Sequence, residues 1–384
     1  MTAPATLAVP EALLDATADQ PGARAALAAA LAAPAHAYLF AGPPGSGKRI
    51  AARAFVAELL AAGAPDPDDA RRRALADPSP HPDLAWLAPQ GTQHLVDDVR
   101  ERVITASAYR PFEGARRAFV IEAAEALATE AQNALLKTLE EPASFVHLVL
   151  ITSQPAAVLE TVRSRCQTVR FTPLGDAAVE ARLSQLGLGA DDRERRAAAR
   201  LSGGDADRAA FLLGPDGREL RAGAQECVEA ALSGDLPDRP WSALLRAADA
   251  AGARASDAAL ARASALAEDA AEVEGAAARR RSREAEEASR RAARRARTEG
   301  LDLGLALIAA WLRDLAAAAE GAEDLLLNAD RTAELRAAPE TDPRRARRAA
   351  ELVMETRRRL QVNVGEELAL EALLFRMEAV LRAA

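Results

Sequence analysis

An α/β unit built on a parallel sheet, followed by an all-helical region, is the fold class this sequence predicts. Three observations predict it. Short apolar runs alternate with helix-like stretches across residues 30–172, and that alternation gives parallel strands with helices on both faces. A glycine-rich loop, AGPPGSGK, lies between the first apolar run and the helix-like stretch that follows it. After Pro173 the strand-like runs stop, and the rest of the chain has the spacing of helices.

Taken in order, residues 36–40 (HAYLF) are the first strand, the glycine loop follows, and an alanine-rich amphipathic helix runs to about residue 62. Residues 63–82 (GAPDPDDARRRALADPSPHP) are rich in Pro and Asp and are expected to be a connector of weak structure. A strand at 83–87 and a helix at 95–108 come next. RAFVIEA (117–123) is a buried strand, and 129–140 is a helix stopped by Pro142. FVHLVLIT (145–152) is a strand, a helix follows to residue 162, and QTVRF (167–171) is the last strand. Residues 173–213 form a small helical unit containing LSGGDADRAAFLL, and 219–384 are helical throughout. Residues 268–299 are polar on every side, so no face is expected to be buried there. The nine arginines between Arg279 and Arg297 are expected on a solvated helix with internal Glu–Arg pairs.

With 384 residues the chain has room for two or three domains. Its 49% apolar content supports real cores, and 3% aromatic content means that Ala, Leu and Val must fill them. Cys166 and Cys227 are the only cysteines, too few for a disulfide framework or a four-cysteine zinc site, so no zinc is expected. No apolar run approaches the roughly 20 residues of a membrane span. The first residues lack the basic segment of a secretion signal, so a cytoplasmic protein with no membrane contact is expected. The net charge of −8 argues against bulk attraction to nucleic acid and leaves only local contacts with DNA. Only Lys48 and Lys137 are lysines, leaving 49 − 2 = 47 arginines.

Lys48 closes the loop Gly42-Pro43-Pro44-Gly45-Ser46-Gly47-Lys48, which fits G-x-x-x-x-G-K between a strand and a helix. In that setting the glycines turn backbone N–H groups inward around phosphates, the helix N-terminus adds its dipole, and the lysine reaches the terminal phosphates. The next residue, where Ser or Thr would ligate Mg²⁺, is Arg49. A guanidinium has donors and no acceptor, so it cannot ligate a cation. The strand RAFVIEA leads to Glu122, which can stand for the metal-shell aspartate, but Ala123 cannot position an attacking water. Glu125 reads as a surface acid at a helix start. Two defects in two motifs predict a loop that does not hydrolyse nucleotide on its own.

RPFEGARRAFVIEAAEALATEAQNALLKTLEEP (110–142) and LVLITSQPAAVLETVRSRCQTVRF (148–171) closely resemble the AAA+ clamp-loader subunits of bacterial DNA polymerase III. The resemblance is dense from residue 36 to about 208, with a fainter echo at 361–374 (QVNVGEELALEALL). It implies an AAA+ P-loop core at 1–172, a three-helix lid at 173–213 and a helical collar at 214–384 through which five subunits assemble. It places Thr152 at the sensor-1 position and Arg208 at sensor 2, so that Gly42, Gly45, Gly47, Lys48, Thr152 and Arg208 form a vestigial or weak site for ATP or ADP. It makes Ser164-Arg165-Cys166 the SRC motif, whose Arg165 is a trans arginine finger entering a neighbour's nucleotide site. Cys166 itself reads as a packed small hydrophobe.

The implied partners are gamma/tau-type motor subunits, a delta-type subunit, the sliding clamp and, through the complex, primer-template DNA. The implied role is loading that clamp during replication with no cofactor required by this chain. Family members often carry a zinc module after the P-loop helix, and this sequence has no cysteine there. The alternatives are an ATP-hydrolysing motor subunit, which calls for Ser or Thr at 49 and Asp-Glu at 122–123, and a stand-alone P-loop enzyme, which leaves the SRC motif unexplained.

Overall fold

Five strands form one wholly parallel sheet: β1 (Ala37–Ala41), β2 (Leu84–Leu87), β3 (Arg117–Ile121), β4 (Val146–Thr152) and β5 (Gln167–Arg170). Their order across the sheet is β2-β3-β4-β1-β5. The computed structural model describes residues 9–89, 93–268, 276–339, 341–360 and 365–383. The chain divides into two compact units, Met1–Leu174 and Gly175–Ala384.

In the first unit β1, β3 and β4 are buried along their whole length. This is why they read as continuous apolar runs rather than alternating ones. Successive side chains still take opposite faces. Tyr38 and Phe40 join Phe55, Leu59 and Phe171 in one core, whereas Leu39 joins Phe119, Leu135, Leu148 and Val162 in the other. Helices cover both faces: α1 (Glu11–Ala16), α2 (Pro21–Ala32), α3 (Lys48–Ala61), α4 (Pro67–Leu75), α5 (Val96–Val99), α6 (Thr129–Glu140) and α7 (Glu160–Arg163). A π-helical turn, Arg100–Thr105, extends α5.

The expected weak connector at 63–82 is wrong in its middle. Asp66 caps α4 by accepting a hydrogen bond from the Asp69 N–H, Ala70 and Ala74 are buried, and Arg71 bonds Glu58 of α3. The helix signal was present as an Asp N-cap, a Pro at the first helical position and basic residues in the last turn. Composition hid it.

The second unit is helical: α8 (Asp176–Gln185), α9 (Asp192–Ser202), α10 (Ala206–Leu213), α11 (Pro215–Ser233), α12 (Trp241–Glu268), α13 (Ala276–Ala319), α14 (Thr332–Ala337), α15 (Pro343–Leu360) and α16 (Glu366–Leu381). The first three pack on one another. Residues 361–364, the start of QVNVGEELALEALL, lie outside the described residues, as do 269–275 and the side chains of Arg279, Arg280 and Arg281.

The expectation that 268–299 buries no face is overturned in the part whose side chains are described, from Ser282 onward. α13 packs along α12, Ser289 is buried, and its hydroxyl meets that of Ser256 at 2.6 Å. A Cβ on Gly252 would stand 3.0 Å from the Ala293 carbonyl oxygen, and one on Gly300 3.5 Å from the Ala248 Cα. Small residues bring the two backbones together, so a face without large apolar side chains still packs. The expected Glu–Arg pairs are there too: Arg291–Glu287 and Arg295–Glu299 are one helical turn apart.

Candidate nucleotide-loop site and SRC turn

The glycine loop leaves the middle of the sheet. Gly42 N donates to the Thr152 carbonyl at 3.2 Å, so the loop starts against the end of β4. A Cβ on Gly42 would lie 2.4 Å from the Phe171 carbonyl oxygen, a contact that only glycine permits. Gly45 and Gly47 have φ of +66° and +85°, and Gly47 opens α3. These left-handed turns cost glycine least. Ser46 Oγ donates to the Pro43 carbonyl at 2.8 Å.

Lys48 is only 6% exposed. Its ammonium donates to the Gly42 carbonyl at 2.7 Å, to the Pro43 carbonyl and to Ser46 Oγ at 3.3 Å. Gln20 is buried beside the loop. Its Nε2 donates to the Ser46 carbonyl at 3.2 Å and to the Thr172 carbonyl at 2.7 Å, and its Oε1 accepts from Thr172 N at 3.0 Å. One amide therefore ties the loop to the chain leaving β5.

Arg49 lies across the mouth of the loop. Its Nε donates to Glu122 Oε1 at 2.6 Å, and its Nη2 to Asp77 Oδ2 at 2.8 Å. Burial works against the Arg49 charge, but the Glu122 and Asp77 carboxylates outweigh it and raise the pKa. Trp86 Nε1 donates to the same Glu122 oxygen at 2.5 Å, and the Arg53 guanidinium stacks over the Trp86 ring at 4.4 Å. P-loop hydrolases hold Mg²⁺ here, an ion that needs oxygen ligands. The residues present do not fit it: a cation stands in the hydroxyl's place, and the carboxylate is bonded to that cation.

Glu122 continues into a strained turn. Ala123 has φ +48° without being glycine, and the buried His94 Nε2–H donates to the Glu122 carbonyl at 2.6 Å. Burial lowers the His94 pKa. Glu125 is not the surface acid expected. Its Oε1 accepts from Ser153 N at 3.2 Å, and its Oε2 is buried. It thereby supports the turn after Thr152, whose hydroxyl accepts from Gln154 N at 3.1 Å. The loop, Glu122 and Thr152 are thus brought together in the first unit. Arg208 lies on α10 in the second, where its N–H caps onto Asp205.

Arg165 occupies the turn between α7 and β5. Its Nη1 donates to the Thr161 carbonyl at 2.8 Å and its Nη2 to Glu140 Oε1 at 2.6 Å. Cys166 packs partly buried against the Leu39 core, and burial pushes its thiol up to about 12. Among the described residues no group of three His, Cys, Asp or Glu side chains is placed to hold a metal ion. Asp77 is taken by Arg49 and Arg53, and Asp83 accepts the N–H groups of Phe112 and Glu113.

Trp86, Asp77 and His94 carry no motif that a sequence could announce. Each matters through a partner far along the chain.

Residues 24–175 match the protein family described as DNA polymerase III, delta subunit. Over 218 residues the chain is 37% identical to the DNA polymerase III subunit delta' of Pseudomonas aeruginosa, covering 54% of this chain and 64% of that one. Over 153 residues it is 36% identical to the subunit delta' of Bacillus subtilis, covering 38% and 45%. It is also 31% identical over 177 residues to the gamma/tau subunit of Mycobacterium tuberculosis, covering 44% and 30%. The chain therefore spans about half to two thirds of the delta' relatives. No helix among the described residues is long and apolar enough to cross a membrane. Over its P-loop unit the chain is thus similar to the delta' subunits of bacterial DNA polymerase III.

Proposed function

We propose that this chain is the delta-prime-type subunit of a DNA polymerase III clamp loader, a cytoplasmic assembly that places the sliding clamp on primed DNA. Its own loop is hydrolytically silent, and Arg165 serves a gamma/tau-type neighbour. The observation that carries this reading is the 2.6 Å pair between Arg49 and Glu122, which engages both positions that a hydrolysing loop gives to its metal. A chain that cannot turn over nucleotide contributes most by completing a site elsewhere. An arginine inserted in trans stabilises charge on the transferring phosphoryl group and is worth about 10³–10⁵ in rate.

Residues 1–172 serve as the core, 173–213 as the lid and 214–384 as the collar that joins motor and delta-type subunits in a pentamer. Thr152 and Arg208 are vestiges of a nucleotide-sensing site. No zinc and no other cofactor is needed. The gamma/tau identity favours a second reading, a motor subunit; that reading requires Arg49 to leave Glu122 and a hydroxyl to be found elsewhere.

The test is reconstitution with motor and delta-type subunits and primed DNA. This reading expects no ATP turnover by the isolated chain, turnover by the assembly, and loss of one motor site on Arg165→Ala with assembly intact. Unchanged turnover and loading in that variant would overturn the trans role. Robust hydrolysis by the isolated chain would favour the motor reading.

A further inference from the structure

The Arg49 guanidinium bridges three elements: the start of α3, the end of β3 through Glu122, and the segment before β2 through Asp77. It is also held in place. Asp77 is gripped from its other side by Arg53 at 3.1 Å, Arg53 stacks on Trp86, and Trp86 donates to Glu122. Even so, 55% of the Arg49 side chain stays exposed.

Charge arithmetic follows from these neighbours. Lys48, Arg49 and Arg53 against Glu122 and Asp77 give 3 − 2 = +1 at the loop. A hydrolysing P-loop has a neutral hydroxyl at position 49 and borrows its second cation from a divalent ion. Here the second cation is covalently part of the chain, and a divalent ion placed beside it would be repelled. The cradle itself is intact: Gly45 and Gly47 keep the left-handed turns that aim backbone N–H groups inward, and α3 begins at Lys48.

We propose that this loop takes the phosphate groups of a nucleoside di- or triphosphate without a divalent ion, with the Arg49 guanidinium serving as its fixed cation. With Nε on Glu122 and Nη2 on Asp77, the Arg49 donors that the carboxylates do not take are left for phosphate oxygens, and the guanidinium brings a permanent charge where a hydroxyl brings none. For binding, the Lys48 ammonium exchanges the Gly42 and Pro43 carbonyls for phosphate oxygens. The inference rests on reading Gly42 to Lys48 as a phosphate loop; it does not depend on the trans role of Arg165.

Equilibrium binding of a fluorescent ADP analogue to the full chain, in Mg²⁺ and in EDTA, tests it, with ADP and pyrophosphate as competitors. The wild-type dissociation constant should change by less than about threefold on chelation. Arg49→Thr combined with Glu122→Asp should restore dependence on the metal, binding at least about tenfold more weakly in EDTA than in Mg²⁺. Arg49→Gln keeps much of the length and loses the charge; it should bind more weakly in both buffers, with circular dichroism reporting that the fold is kept.

Competition by pyrophosphate as strong as by ADP supports the proposal and places the contact in the phosphates alone. Stronger competition by ADP supports it and adds the nucleoside. A loss of wild-type binding in EDTA of about tenfold or more would overturn it, as would absence of binding in both buffers. Either failure would leave the Arg165→Ala outcome in the assembled loader standing.

Discussion

Lys48 and Arg165 each end a short turn in the same α/β unit, and the fold treats the two cations in opposite ways. Lys48 is nearly inaccessible and bonded to carbonyls of its own loop, while the next cation, Arg49, is spent on Glu122. Arg165 keeps 36% of its side chain exposed and holds one carboxylate, Glu140, that is itself half exposed. An exposed pair of this kind is worth about 0–1 kcal/mol. Arg165 can therefore exchange Glu140 for an anion from another molecule at little cost, whereas the loop's cations give up several bonds first. The contrast teaches that residue type alone does not decide availability; the partners already holding a charge do.

The largest effect expected is the one that would break the contrast at the SRC turn. Arg165→Ala should slow the served motor site by roughly 10³-fold or more, read as partial loss of total ATPase and a deeper loss of clamp loading. Arg165→Lys should rescue poorly, because an ammonium lacks the fork.

Next in size is a change at the loop. Gly42→Ala places a methyl 2.4 Å from a backbone oxygen that cannot yield cheaply. It should cost about 1–3 kcal/mol, the usual cost of overpacking, visible as a lower midpoint in urea. Gly22→Ala, with nothing within 4 Å, should leave that midpoint unchanged or raise it. Equal effects would mean that the loop's close approach to β5 carries no weight.

A smaller effect concerns protons. Burial lowers the pKa of His81, His94 and His147 from the ordinary 6.5. The unfolded chain then binds more protons than the folded one below that value, so stability rises with pH there and is lost as pH falls through it. Melting temperature should drop on acidifying below about 6.5, and His94→Gln should flatten the slope. A melting temperature indifferent to pH between 7 and 5 would contradict the burial of these rings. The smallest effect is a null: chelator should leave melting unchanged, and stoichiometric zinc in pure protein would show that Asp77, His81 and Asp83 are freer than their bonds imply.

The sheet was readable because buried parallel strands leave unbroken apolar runs, and the loop because its glycines answer a backbone requirement. α4 was missed because Pro and Asp, which usually signal turns, here form an N-terminal cap. The packed face of α13 was missed because Gly252, Ser289, Ala293 and Gly300 pack by closeness and not by apolar volume. At the site, the sequence showed that Arg49 could not hold a metal. It did not show that Arg49 would bond Glu122, because that pair joins residues 73 positions apart through a fold not yet built. Gln20 was harder still: its partners, Ser46 and Thr172, lie at two other points of the chain.

The strand order has a consequence for the chain during synthesis. β1 sits between β4 and β5, with Ala37 opposite Leu148 and Tyr38 opposite Gln167. It leaves the ribosome first and must wait roughly 100 residues for a neighbour, or about 5–20 s at 5–20 residues per second. Throughout that wait an apolar edge, AYLFA, has no strand to pair with, and its Tyr38 and Phe40 face can be sheltered only by helices of the same core, such as α2 and α3. The nascent chain is therefore most exposed to misassociation before β4 arrives, and slowing translation between residues 41 and 146 should lower the yield of soluble protein more than slowing it after residue 175.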